Sequence, residues 1–86
     1  MTPHVVWAKG GEVTVLALDG DRITVRSSTP SAPGSRPEGT LAGGGRFWIK
    51  VARCRREGDT FVIDGRLLDA TRETRAEIQG LLDTPA

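Results

Sequence analysis

At 86 residues the chain has room for one domain, and with two Trp, two Phe and one Met its interior must be built mostly from aliphatic side chains. Twelve Lys+Arg against eleven Asp+Glu leave a net charge of +1, which gives no general attraction to nucleic acid or to an anionic membrane. One Cys and one His exclude an internal disulfide and a zinc set made from those residue types, and no apolar run approaches the ~20 residues of a membrane span.

Met1 to Gly10 lacks the basic start and apolar run of a signal peptide, so a cytoplasmic location is expected. Glu12 to Leu18 is β-rich, with Val13, Val15 and Ala17 on one side and Thr14, Leu16 and Leu18 on the other. Asp19-Gly20-Asp21 is a hairpin signal, and Arg22 to Arg26 alternates again with Ile23 and Val25 inward. These two runs are expected to pair antiparallel. Ser27 to Gly45 holds three prolines and five glycines and reads as a long irregular loop, with Thr40-Leu41 as a short strand inside it.

Arg46 to Glu57 is the longest strand candidate, with Phe47, Ile49 and Val51 on one face and Trp48, Lys50, Ala52 and Cys54 on the other. Gly58-Asp59 turns the chain, and Thr60 to Leu68 returns with Phe61, Ile63 and Leu67 on one face. Gly65 in mid-strand predicts a bulge or a bend. From residue 71 to 82 the period becomes helical through Thr74, Ile78, Leu81 and Leu82. Asp69 or Thr71 is the candidate N-cap, Glu73 suits the first turn, and Pro85 ends the helix. Hairpin, irregular middle, hairpin and helix together predict a mainly β domain, a small antiparallel barrel with one C-terminal helix, occupying residues 1–86.

Catalytic chemistry is poorly supplied. His4 is the only histidine and stands near the terminus, Cys54 lies inside a strand, and the carboxylates fall in turns (Asp19, Asp21, Glu57, Asp59) or on the helix (Glu73, Glu77). Gly43-Gly44-Gly45 lacks the following Lys-Ser/Thr of a phosphate loop. The chain therefore reads as a non-enzymatic binding module.

Two features suit binding. Arg53, Arg55 and Arg56 end the long strand, with Arg46, Lys50 and Arg66 nearby. Strict alternation places Arg53 and Arg55 on one face and Arg56 with Lys50 on the other, which argues against a single dense patch. A guanidinium offers a planar fork for phosphate or carboxylate. Trp48 reads either as part of a second core under the helix or as an exposed partner anchor, and Trp7 is a similar candidate.

Pro33-Gly34 before a short strand, the strand RFWIKVARCRR, the run F-x-I-x-G-R-L-L-D over Phe61 to Asp69, and the ending ATRETRxxI together resemble a PilZ domain. The resemblance covers about half of the chain closely and most of it loosely. It implies a six- or seven-stranded β-barrel with a helix at one end, and a place in bacterial signalling or motility. Such domains bind cyclic di-GMP through R-x-x-x-R before the first strand and D/N-x-S-x-x-G after the second. Here His4 to Lys9 holds no arginine before the first strand. Arg22 and Arg26 have the spacing but lie within the second strand, and of the second motif only Ser28 matches.

The resemblance therefore implies an adaptor that contacts a bacterial protein partner, with Trp7, Trp48, Arg55 and Arg56 as candidate contact residues and no cofactor. The alternative is a cyclic di-GMP receptor using Arg26, Ser28, Arg53 and Arg66. A third reading is a small barrel for single-stranded nucleic acid, which the near-neutral charge disfavours.

Overall fold

The computed structural model describes residues 5–41 and 44–83. His4, Gly43 and Pro85 lie outside the described residues, as does the side chain of Leu81. The elements are β1 (Val5–Trp7), β2 (Glu12–Asp19), β3 (Arg22–Ser27), β4 (Glu38–Leu41), β5 (Arg46–Glu57), β6 (Thr60–Leu68) and α1 (Arg72–Asp83). The strands close a barrel in the order β1-β2-β3-β6-β5-β4, and every neighbouring pair is antiparallel. The expected mainly β barrel with one C-terminal helix is what the chain forms.

The hairpins follow from local sequence. In the β2–β3 turn Asp19 pairs with Arg22, leaving Gly20 and Asp21 between them. In the β5–β6 turn Glu57 pairs with Thr60, leaving Gly58 and Asp59. Gly20 (φ 62°) and Gly58 (φ 64°) take the positive φ that a tight hairpin needs at its first central position.

Two bulges shift the expected alternation. The β2–β3 register slips between Val15 and Ala17, so after Val13 and Val15 the inward residue is Leu18, and Leu16 stays exposed. The β5–β6 register slips between Val51 and Arg53, making Ala52 the extra residue. Cys54 therefore joins the side of Phe47, Ile49 and Val51 and packs against the core, not beside Trp48 as strict alternation predicts. Gly65 is not itself the bulge. It pairs with Val51 next to the bulge, and a Cβ there would collide with the Lys50 carbonyl oxygen and stand 2.6 Å from Ile49 Cγ2. The missing side chain lets β5 approach closely.

The unexpected element is β1. Three residues pair with both β2 and β4 and so close the barrel, placing Val5 and Trp7 in the core. So short a run carries no period from which a strand is readable. The core also takes Val13, Ile23, Val25, Leu41, Phe47, Ile49, Val51, Ile63, Leu67 and, from the helix, Ile78. Helix α1 packs against β2 and β4 with Thr74 and Ile78 buried. Thr71 is its N-cap: the Thr74 amide donates to Thr71 Oγ1 at 3.1 Å. Arg75 donates to the Gly20 carbonyl (3.1 Å) and to Asp21 (2.5 Å), so the helix covers the barrel end where the β2–β3 turn lies.

The irregular middle is shorter than expected, because β3 runs through Ser27 and β4 begins at Glu38. The segment 28–37 is tied down along β5. Ile49 N–H donates to the Pro37 carbonyl (3.2 Å), Val51 N–H to the Ser35 carbonyl (2.9 Å), and Gly34 N–H to the Val51 carbonyl (2.7 Å).

Candidate functional site

In an antiparallel sheet, directly paired residues share a face. The register places three rows on the outside of β3, β6 and β5. Arg22, Arg66 and Lys50 form one row, Thr24, Asp64 and Arg53 the next, and Arg26, Val62 and Arg55 the third. Neighbouring strands lie about 4.8 Å apart, and same-face residues along one strand roughly 6.6 Å. Were Ala52 an ordinary member of an unbulged strand, Arg53 and Arg55 would point to the side of Val51. The bulge is what gathers them with Lys50, so the split face expected from strict alternation gives way to one patch.

Six of the twelve cations stand on this face, accompanied on the three strands by two of the eleven acids, Asp64 and Glu57; Asp19 of β2, paired with Arg22, and Glu38 of β4, in an ion pair with Arg46, border it. The rest of the chain carries the other six cations and nine acids. A nearly neutral protein is thus locally positive on one side, where it attracts anionic groups. Thr24 Oγ1 donates to Asp64 Oδ1 at 2.8 Å, which fixes that carboxylate between strands. Arg26 reaches Glu57 at 3.7 Å. Arg22, Lys50, Arg53, Arg55 and Arg66 form no ion pair among the described residues. Val62 lies between Arg26 and Arg55 on this face and is only 3% exposed. Arg22, Ala52, Arg53, Asp64, Gly65 and Arg66 line a shallow hollow of ≈ 530 Å³.

Of the eight residues singled out from sequence, Arg26, Arg53, Arg55 and Arg66 come together here. Arg22 and Lys50 complete the set: the β5–β6 hairpin register was the signal for Lys50, whereas Arg22 arrives through the long-range pairing of β3 with β6. Trp48 continues the same face, half-buried between Glu38 and Leu68. It does not form a second core under the helix, which lies over β2 and β4 instead. It borders a cleft of ≈ 530 Å³ beside the segment 28–37, with Lys9 and Arg36 also on its wall.

The other three go elsewhere. Trp7 is 5% exposed, and its Nε1 donates to Ser27 Oγ at 2.7 Å, so it is a barrel residue and not a surface anchor. Ser28 Oγ accepts from the Glu12 amide at 2.8 Å and ties the start of the loop to β2. Arg56 pairs with Phe61 on the opposite side of the strand from Arg55, and its Nε donates to the Gly58 carbonyl at 3.1 Å.

Forked cations on a rigid sheet suit carboxylates or phosphates presented along an extended chain. The same face offers no His, Cys or Ser beside the arginines to act as a nucleophile or proton shuttle. No helix of the described residues is long and apolar enough to cross a membrane. Comparison with protein-family models, curated proteins and solved structures gives no match.

Proposed function

We propose that this chain is a non-catalytic binding module, PilZ-like in build, that acts as an adaptor by docking an acidic region of a partner protein, in a bacterial signalling or motility system, on the outer face of β3, β6 and β5. One observation carries the reading: half of the cations of a nearly neutral chain share three rows of one sheet, and five of the six have no ion pair among the described residues. Cationic side chains left unpaired on a sheet repel one another, and an acidic partner relieves that repulsion. Cyclic di-GMP is the second reading, supported by the hollow where Arg22, Arg53 and Arg66 meet.

The test is calorimetric titration of the whole chain at low salt. The ligands are a short peptide of alternating Glu and Thr, cyclic di-GMP and a single-stranded oligonucleotide. The adaptor reading expects the peptide to bind, and the Arg22→Gln, Arg53→Gln, Arg66→Gln triple variant to lose at least tenfold in affinity. Heat from the dinucleotide alone moves the function to the second reading, and silence from the peptide removes the first.

A further inference from the structure

Strand β5 outruns its neighbour on one side. Beta-4 pairs with it only over Glu38↔Trp48, Gly39↔Phe47 and Thr40↔Arg46, and the segment 34–37 extends that cover to Ile49 and Val51. On its other side β5 is paired with β6 out to Glu57↔Thr60. From Ala52 onward no described backbone group lies hydrogen-bonded to the β4 side of the strand.

Which groups face that open side follows from the bonds already given. Ile49 and Val51 turn their backbone groups away from β6, toward Pro37, Ser35 and Gly34. Trp48 and Lys50 therefore turn theirs toward β6. The bulge advances the phase by one residue, so that Arg53, Arg55 and Glu57 bond to Asp64, Val62 and Thr60. The N–H and C=O groups of Cys54 and Arg56 are left pointing outward along an exposed edge. Edges of this kind are ready templates for another extended chain.

We infer that this edge receives the partner: an extended acidic segment pairs, main chain to main chain, with Cys54 and Arg56 and becomes an added strand beside β5. The inference rests on the adaptor reading and specifies how the partner sits. Alternate side chains of an added strand fall beside Arg53 and Arg55 on the outer face, where carboxylates suit them. Those between fall toward half-buried Cys54, where small side chains fit. A peptide supplies both donors and acceptors to the edge. A nucleic-acid backbone supplies acceptors only, so the open N–H and C=O pairs favour protein.

The alternating Glu/Thr peptide tests this on the isotope-labelled full chain. Amide exchange of Cys54 and Arg56 is expected to slow at least tenfold on binding, while that of Arg53 and Arg55, already in the ladder, stays as it was. A peptide of the same charge with its alternate amides methylated is expected to bind at least tenfold more weakly. Arg56→Pro removes an edge donor without touching the ladder to β6, so the variant folds and loses a similar factor. Equal binding of both peptides, with Cys54 and Arg56 exchange unchanged, overturns the added strand and leaves the cationic face standing. Failure of both peptides to bind overturns the adaptor reading beneath it. An oligonucleotide that displaces the peptide and binds more tightly overturns both in favour of nucleic acid.

Discussion

Trp7 and Ser27 are joined inside the barrel by a 2.7 Å hydrogen bond from the indole Nε1 to the hydroxyl Oγ. The same hydroxyl donates to the Thr29 carbonyl at 2.6 Å and accepts from the Thr29 amide at 3.1 Å. One buried serine thus fastens the closing strand to the end of β3 and to the start of the loop. Ser27→Ala strands the indole N–H and is expected to cost about 1–3 kcal/mol in chemical denaturation. Trp7→Phe removes the donor but keeps much of the ring, so the loss should instead track lost packing volume.

Gly65 and Gly58 make a contrasting pair. Gly65→Ala drives a Cβ into the backbone of Lys50 and should cost about 1–3 kcal/mol or more, because backbone cannot swing aside as a side chain does. A Cβ at Gly58 meets no atom within 4 Å, and only its positive φ opposes it, so Gly58→Ala should cost about 1–2 kcal/mol. Urea midpoints of the two variants check the order.

Deleting Ala52 tests the bulge directly. Without it, Val51, Arg53, Cys54 and Arg55 alternate regularly, and each keeps the face it has in the bulged strand. No guanidinium is buried, so the deletion is expected to keep cooperative unfolding by circular dichroism, at a cost of about 0.5–3 kcal/mol for the lost local twist. Ala52→Gly keeps the residue count and should cost no more than about 1 kcal/mol.

The cationic face makes the opposite prediction. Arg22, Arg53 and Arg66 are engaged in no ion pair among the described residues, so changing all three to Gln should move stability by about 0.5 kcal/mol or less per site. Affinity for the acidic peptide should fall, and its dependence on salt should flatten.

Much of this architecture is legible in the sequence. Period-two runs bounded by Asp-Gly-Asp and Gly-Asp specify both hairpins, and the change to helical spacing marks α1. The phase of each strand is less legible. Nothing in VTVLAL or VARCRR marks Leu16 or Ala52 as an extra residue, since bulges are fixed by how twisted neighbours fit. The arginine patch is invisible from one strand alone for the same reason. Its members come from three strands, and only the cross-strand register brings them side by side. The closing strand is harder still, because Val5–Trp7 is specified by the two neighbours it joins rather than by any pattern of its own.

The open edge of β5 has a consequence for the company this protein keeps. Two copies of the hairpin meeting edge to edge would bring Arg53, Arg55 and Arg56 of one against the same three of the other. Like charges facing across strands oppose that union. On the adaptor reading, the arginines are therefore expected to favour a strand of opposite charge over a second copy of the chain. Charge of one sign along an exposed edge is one of the ways an unpaired strand is guarded against becoming a route to fibres.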